Sequence, residues 1–241
     1  MALCGALAAS ALVVFAATSA QRTREPVTPA PTTTPFATAD PADPARVIPK
    51  QAYGRIALDD RVDRTRRTVS GLAIPIADAT LPTDPELLPN AARDFRGGWH
   101  EGIDFPAERG TEVRAVAAGT VVRIDHAFDD WSEAEKETAL ADAVLLGYTP
   151  SATLDRIRGR QMWVDHGRGV ISRYAHLEGV ADLALGAATE RGQVIGFVGS
   201  SGYPEGGPHL HLEIRMGTSY LGDGLSPEEL LAAIAAAFDL R

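Results

Sequence analysis

Two histidines separated by a single leucine, in the run GGPHLHLEIRMG, are the residues of this sequence best suited to chemistry. Polar and apolar residues alternate there with the period of a β-strand, so His209 and His211 share one face. Glu213 and Arg215 continue that face, which is expected to line a polar cleft. The opposite, core-facing side carries Leu210, Leu212 and Ile214. Neighbouring imidazoles indicate either a metal or acid–base site or a solvated face, and this motif alone leaves both open.

A second polar face comes from the run WHEGIDFPAERG. His100 and Asp104 fall on one side of an extended segment, because Gly102 and Pro106 disfavour a helix there. A further histidine, His176, stands in the run YAHL. The set gathered from these faces comprises His100, Asp104, His176, His209 and His211. Three nitrogen or oxygen ligands from such a set, with water in the fourth position, form a catalytic zinc site.

Three motifs, H-x-G-x-D, Y-A-H-L and G-P-H-L-H-L-E, follow one another in an order and spacing that resemble the lysostaphin-type (LytM) zinc peptidases of family M23, over about residues 90–220. The resemblance implies that His100, Asp104 and His211 bind one Zn²⁺ per chain. It implies that His176 and His209 are catalytic histidines that do not bind the metal.

The same resemblance implies a fold and a function. The expected fold is mainly β, with an antiparallel sheet of the barrel-sandwich kind. The expected function is that of an exported zinc metalloendopeptidase that hydrolyses peptide bonds in bacterial peptidoglycan, in the stem peptide or the cross-bridge. The alternative is a non-catalytic LytM-like module that activates another wall hydrolase.

The expected chemistry needs no side-chain nucleophile. Zinc makes water acidic enough to attack near neutral pH, which suits a chain whose one cysteine is Cys4. His176 and His209 would share proton transfer and stabilisation of the oxyanion, without a division of roles. Because the sequence has no H-E-x-x-H motif, Glu213 is interpreted either as a partner that orients an imidazole or as a structural hydrogen-bond acceptor.

Short strands separated by turn residues surround these motifs and predict a mainly β, antiparallel domain. Residues 111–125 predict a pair of strands around Gly119, and residues 160–179 predict two more about a glycine-rich turn at His166. Residues 191–202 predict a short strand that ends in glycines.

Helical patterns interrupt these strands at two places. At about 128–160 two amphipathic helices are predicted, the first beginning with a capping box of Ser132 and Glu135 and the second at the Thr-Pro pair 149–150. We expect this insert to lie beside the groove and restrict access, without a part in zinc binding. A C-terminal helix is predicted over about 226–239. Its expected core-facing stripe is Leu225, Leu230, Leu231, Ile234 and Phe238.

The N-terminal segment of the sequence predicts that the protein is exported from the cytoplasm. Residues 1–20 carry no charge, which indicates a signal peptide or an N-terminal membrane anchor and hence a location in the cell envelope or outside the cell. Residues 21–50 are rich in Pro and Thr and predict a linker, and residues 51–90 predict an extension that wraps the domain. The peptidase-like domain is expected over 91–241.

The composition of the chain limits the classes of partner that the protein is expected to bind. A net charge of −9 argues against nucleic acid, since no basic face displaces phosphate counterions. With 45% hydrophobic residues the chain can bury a core. The expected partners are therefore peptidoglycan peptides, with membrane anchoring possible through residues 1–20. No feature of the sequence predicts an oligomeric state.

Other polar residues have two interpretations. His126 is expected at the surface, and His166 is expected to be a turn or packing residue rather than a fourth metal ligand. Arg93 and Arg96 either bind a substrate carboxylate or form a solvated edge. The aromatic residues that could belong either to the groove or to the core are Trp99, Tyr174 and Tyr203.

Overall fold

The computed structural model describes residues 57–58 and 69–239. The predicted leader or anchor (1–20), the linker (21–50) and residues 51–56 and 59–68 of the predicted extension lie outside that part of the chain. The strands are β1 (Ala57–Leu58), β2 (Val69–Ser70), β3 (Ala92–Arg93), β4 (Gly98–Trp99), β5 (Ile103–Pro106), β6 (Glu112–Arg114), β7 (Gly119–Ile124), β8 (Met162–Asp165), β9 (Val170–Ala175), β10 (Leu177–Val180), β11 (Ala188–Thr189), β12 (Val194–Val198), β13 (His209–Met216) and β14 (Ser219–Tyr220). The helices are α1 (Glu133–Leu146), α2 (Ser151–Arg158) and α3 (Pro227–Ala237), with 3-10 turns at Pro85–Leu87, Asp94–Arg96 and Pro204–Gly206.

Two antiparallel sheets form the body of the domain. A seven-stranded sheet has the order β11-β7-β8-β9-β13-β14, with β5 also paired to β13, and a three-stranded sheet has the order β10-β12-β6. The core holds the inward side chains of β13, Leu210, Leu212 and Ile214, together with Phe105 and Tyr174. The predicted fold class, mainly antiparallel β with a helical insertion and a C-terminal helix, is confirmed.

Of the two strand pairs predicted from turn residues, one forms in the structure and the other does not. The hairpin of β8 and β9 about His166 forms as predicted, with Met162 opposite Tyr174. The two strands around Gly119 form but do not pair with each other, since β6 pairs with β12 while β7 pairs with β8 and β11. The reason is that the link between them, in which Ala115, Val116 and Ala117 are buried, carries the chain from one sheet to the other.

Helices α1 and α3 begin where their caps predict, whereas α2 begins at Ser151 with Pro150 as its N-cap and without a side-chain cap from Thr149. Capping boxes are present at Ser132 and Ser226, which satisfy free N–H groups in the first turns of α1 and α3. The predicted amphipathic character of α1 is wrong, because its buried residues are Lys136 and Ala143, whereas Val144, Leu145 and Leu146 are exposed. In α3, Leu230, Ile234 and Phe238 are buried as expected but Leu231 is 43% exposed, so it does not belong to the core-facing stripe.

The described part of the predicted extension lies against the core. Val69, Leu72 and Leu88 are buried, and the Leu72 N–H donates to the Ala237 carbonyl at 3.0 Å, which attaches this segment to the end of α3. Within residues 57–58 and 69–239, no helix is both long enough and apolar enough to cross a membrane.

Leu210 provides a test of the prediction that one face of β13 packs in the core while the other carries His209 and His211. Leu210 is fully buried on the side opposite His209 and His211, so Leu210→Ala should lower the free energy of unfolding by about 2–5 kcal/mol through a cavity. Leu231→Ala, at the 43% exposed position of α3, should change it by no more than about 0.5 kcal/mol. Urea unfolding followed by circular dichroism measures both, and equal losses would contradict this placement.

Candidate metal centre

The register of β13 brings the candidate site residues together. His211 lies opposite Asp104 of β5 on one side and opposite Ala175 of β9 on the other. His176 follows Ala175 directly, and His209 begins β13. One cleft is lined by all five residues singled out in the sequence: His100, Asp104, His176, His209 and His211.

Three of these residues present ligand atoms to a common point. His100 Nε2 lies 3.0 Å from both Asp104 Oδ1 and His211 Nδ1, and His211 Nδ1 lies 2.8 Å from Asp104 Oδ1. They are also the group within the described residues whose geometry could hold a metal ion. All three side chains are largely removed from solvent, with His100 and His211 fully packed.

The outer contacts of the two imidazoles determine which nitrogen faces the centre. His100 Nδ1 lies 2.8 Å from the Leu88 carbonyl, which can only accept, so Nδ1 carries the proton and Nε2 keeps its lone pair. His211 Nε2 lies 3.2 Å from Glu213 Oε1, so in the uncharged ring, the form that binds a metal, Nε2 donates there and Nδ1 keeps its lone pair. Two imidazole lone pairs and one carboxylate oxygen therefore converge.

Three acceptors at these distances repel one another unless a positive charge lies between them. Hydrogen bonds to Asp104 and Glu213 outweigh the effect of burial and raise the pKa of His211 to about 9. Although burial opposes it, contact with His100 and His211 holds the pKa of Asp104 well below its usual value. Zinc accepts two imidazoles and a carboxylate at about 2.0–2.2 Å in tetrahedral geometry, so this donor set fits Zn²⁺ and leaves one position open.

His176 and His209 stand beside this centre with one nitrogen fixed. His176 Nδ1 contacts the Ser201 carbonyl and His209 Nδ1 contacts the Gly207 carbonyl, both at 2.9 Å, so each ring donates from Nδ1 and keeps a lone pair on Nε2. Their ring centroids are 4.6 Å apart. Burial, with the neighbouring His209 and His211 adding to it, lowers the pKa of His176 to about 3, which keeps this imidazole uncharged near neutral pH.

Glu213 contacts the His211 ring from the side opposite Asp104, through Nε2 rather than Nδ1. Its side chain is 1% exposed, and Oε1 also accepts from Arg158 Nε at 2.6 Å. Of the two interpretations of Glu213, the geometry favours the partner that orients an imidazole. The face of β13 predicted to be wet is thus buried at His211 and Glu213, because arginines cover it.

No motif in the sequence indicated Arg158, the last residue of α2. Its guanidinium contacts Glu213 and also Glu101, with Nη2 2.7 Å from Glu101 Oε2. Arg158 thus brings the insert into contact with Glu213, beside the proposed ligand His211. The expectation that the insert has no part in zinc binding stays a prediction. Glu101 could have been noticed, since it stands next to His100 inside the first motif, whereas Arg158 follows no motif.

The other polar candidates lie in separate places. His126 is exposed and contacts the Leu183 carbonyl, and His166 is buried between the Ala118 carbonyl and Ser172 Oγ, as expected of residues away from the metal. Arg96 is neither a carboxylate site nor a solvated edge, because it is buried and donates to Thr149 and to the Trp99 carbonyl. Among the aromatic residues, Tyr174 lies in the core, Trp99 is exposed and Tyr203 lines the cleft.

Gly102, the middle residue of H-x-G-x-D, has no side chain and so leaves space for the His211 ring. A Cβ at Gly102 would lie 2.6 Å from the Leu212 carbonyl and 2.8 Å from His211 Cε1, closer than such atoms approach. Gly102→Ala should therefore displace the ligand ring and weaken zinc binding by about 10- to 100-fold, the range for residues that orient metal ligands. Chelator competition measures this effect. Gly179→Ala, where the nearest atom would be 3.9 Å away, is the matched control, and equal affinities in both variants would contradict the prediction.

Comparison with known proteins agrees with the geometry. A model of peptidase family M23 matches residues 133–222, a range that includes His176, His209 and His211. The chain is 32% identical over 142 residues to the DD-carboxypeptidase/endopeptidase Mpg of Neisseria meningitidis serogroup B. It is 31% identical over 147 residues to the murein hydrolase activator EnvC of Escherichia coli. These matches cover 58% and 60% of this chain but only 26% and 28% of the two relatives, so the chain spans about a quarter of their length.

Among solved structures, the chain is similar to a zinc-containing peptidase from Vibrio cholerae, at 20% identity and a TM-score of 0.44, with 64% of this chain and 42% of that one covered. The family match begins after His100 and Asp104, and the motif H-x-G-x-D supplies those two residues in the expected place. The matched family model and the three motifs gathered at one cleft show that this chain is similar to peptidase family M23.

Proposed function

We propose that this chain is an exported zinc metalloendopeptidase that hydrolyses peptide bonds in bacterial peptidoglycan, in the stem peptide or the cross-bridge. One observation carries the proposal: three converging ligand atoms and two histidines with free Nε2 lone pairs line a single cleft. The relatives add the context of the cell wall, since one is named as a DD-carboxypeptidase/endopeptidase and the other as a murein hydrolase activator.

His100 Nε2, Asp104 Oδ1 and His211 Nδ1 would hold the metal. When bound, zinc supplies Lewis-acid chemistry: it polarises the scissile carbonyl and makes water acidic enough to attack near neutral pH. The buried Leu88 carbonyl and Glu213 keep the two imidazoles in the tautomers that such binding requires.

His176 and His209 would move the proton. Hydrolysis forms a C–O bond from water and breaks the C–N bond, so a proton must pass from the water to the leaving amine. Nε2 of either histidine can accept that proton and return it, because Nδ1 is already engaged with a backbone carbonyl. The protonated ring also offers a donor to the oxyanion that develops on the carbonyl. The two rings share these tasks in the proposal.

The cleft next to the site suits an extended peptide. Phe95 and Tyr203 stack with ring centroids 5.2 Å apart, and both line the cleft. Arg93 lines it as well, with Nη2 3.8 Å from Asp104 Oδ2, while its guanidinium also contacts Glu86. We infer that Arg93 is the residue there best placed for a substrate carboxylate, the kind of group that stem peptides carry.

A non-catalytic activator is the second candidate function. It is favoured by the similarity to EnvC, which is almost as high as the similarity to Mpg. Against it stands the complete set of five site residues, since a module that acts through binding alone has no need for both ligand and proton-transfer groups.

Metal content separates the roles of the two histidines in β13. His211→Ala removes one of three protein bonds to zinc and should abolish both zinc retention and cleavage of purified, chemically defined muropeptides. His209→Ala and His176→Ala should retain most of the zinc but cleave about 10²- to 10⁴-fold more slowly, as expected for general acid–base groups. Metal analysis and mass spectrometry of the digests measure both quantities.

Two results would contradict the proposal. If His209→Ala loses zinc as completely as His211→Ala, the assignment of ligands is wrong. If the full wild-type chain, loaded with zinc, leaves every muropeptide intact but stimulates a wall amidase, the activator function replaces the peptidase. Treatment with a chelator followed by restoration with zinc provides the control for a metal-dependent activity.

A further inference from the structure

Arg158 joins the helical insert to the metal centre. It is the last residue of α2, and its side chain is buried. Arg158 Nε donates to Glu213 Oε1 at 2.6 Å, and Glu213 Oε1 in turn accepts from His211 Nε2 at 3.2 Å. One carboxylate oxygen thus connects the guanidinium to a proposed zinc ligand.

The neighbouring charges make this contact the main restraint on Glu213. Arg173 Nη1 and Arg215 Nη1 reach Glu213 Oε2 only at 3.5 Å, and Oε2 has no hydrogen-bond partner within the described part of the chain. Oε1 therefore makes both hydrogen bonds of this buried carboxylate, one from Arg158 and one from His211. Removal of Arg158 would leave Oε1 with His211 alone and would free the carboxylate to turn toward the other arginines.

The same residue also supports a proposed catalytic histidine. The His176 N–H donates to the Arg158 carbonyl at 2.8 Å, and the Leu177 N–H donates to the Arg160 carbonyl at 3.1 Å. His176 has a φ of 59°, a left-handed conformation that an L-residue adopts at a cost and that needs support from its surroundings.

We propose that Arg158 is a positioning residue for the metal centre: through Glu213 Oε1 it fixes His211 with Nδ1 toward the ion. This inference rests on the proposed function and assigns the insert a part in building the site. A guanidinium suits the position because its planar fork contacts Glu213 with Nε and Glu101 with Nη2 at the same time. Residues that orient metal ligands in this way commonly contribute about 10- to 100-fold to metal affinity.

The test compares the full chain with Arg158→Ala and Arg158→Lys. We expect Arg158→Ala to bind zinc about 10- to 100-fold more weakly in chelator competition, and to alter the visible absorption of the Co²⁺-substituted protein. Arg158→Lys should restore the affinity only in part, since one ammonium group cannot reproduce the fork. Arg156→Ala is the matched control, because Arg156 is an exposed arginine of the same helix that lies over the Trp131 ring.

A double-mutant cycle tests the route through Glu213. If Arg158 acts on the metal through that carboxylate, its replacement should cost much less affinity in a Glu213→Gln background than in the wild-type background. Additive losses would overturn the proposal, as would a folded Arg158→Ala protein with wild-type affinity and an unchanged cobalt spectrum. If Arg158→Ala does not fold by circular dichroism, Arg158→Lys in both backgrounds decides by the same criterion.

The wild-type chain distinguishes this inference from the function on which it rests. Wild-type binding of zinc with no effect of Arg158 would overturn the inference alone. A wild-type chain that binds neither zinc nor Co²⁺ would overturn the metallopeptidase function, and the positioning role with it.

Discussion

The convergence of two imidazole lone pairs and one carboxylate oxygen within about 3 Å is the constraint on which the rest of this structure depends. Three acceptors so close together are stable only with a cation or a proton among them, so each needs a support that prevents it from turning away. The Leu88 carbonyl supports His100, and Glu213 supports His211. The register of β13 against β5 sets the distance between His211 and Asp104.

Glu213 belongs to a group of paired charges that lies next to the proposed ligands, and this group is called the second layer here. Glu213 and Glu101 alternate with Arg158 and Arg215, and Arg215 Nη1 lies 2.8 Å from Glu101 Oε2. Burial of so many charges is tolerable only when they are paired and hydrogen-bonded, and Glu213 Oε2, which has ion-pair neighbours but no hydrogen bond, is an incomplete part of this layer. The layer therefore serves the geometry of the ligands more directly than it serves stability.

Much of the site could be predicted because it follows local patterns. The alternation in β13 places His209 and His211 on one face, and the H-x-G-x-D spacing places His100 and Asp104 together. The second layer could not be predicted in this way: Arg158 and Glu213 are separated by 55 residues, and no periodicity connects them. The separation of β6 from β7 was missed for a similar reason, because strand partners are chosen by the tertiary fold rather than by neighbouring turns.

Helix α1 of the insert shows how an added segment can be fixed without an apolar face. It exposes Val144, Leu145 and Leu146, so burial of apolar surface contributes little to its placement. The ends of the insert instead bind polar groups of the domain: Trp131 Nε1 donates to the Gly202 carbonyl, and the Arg160 N–H donates to Ser201 Oγ. Ser201 also accepts from His176 Nδ1, so the loop that orients this histidine is held by both ends of the insert. The insert is therefore attached to the loop that orients this histidine, and its residues Leu154, Ile157 and Arg158 also line the cleft, so it lies beside the groove as expected.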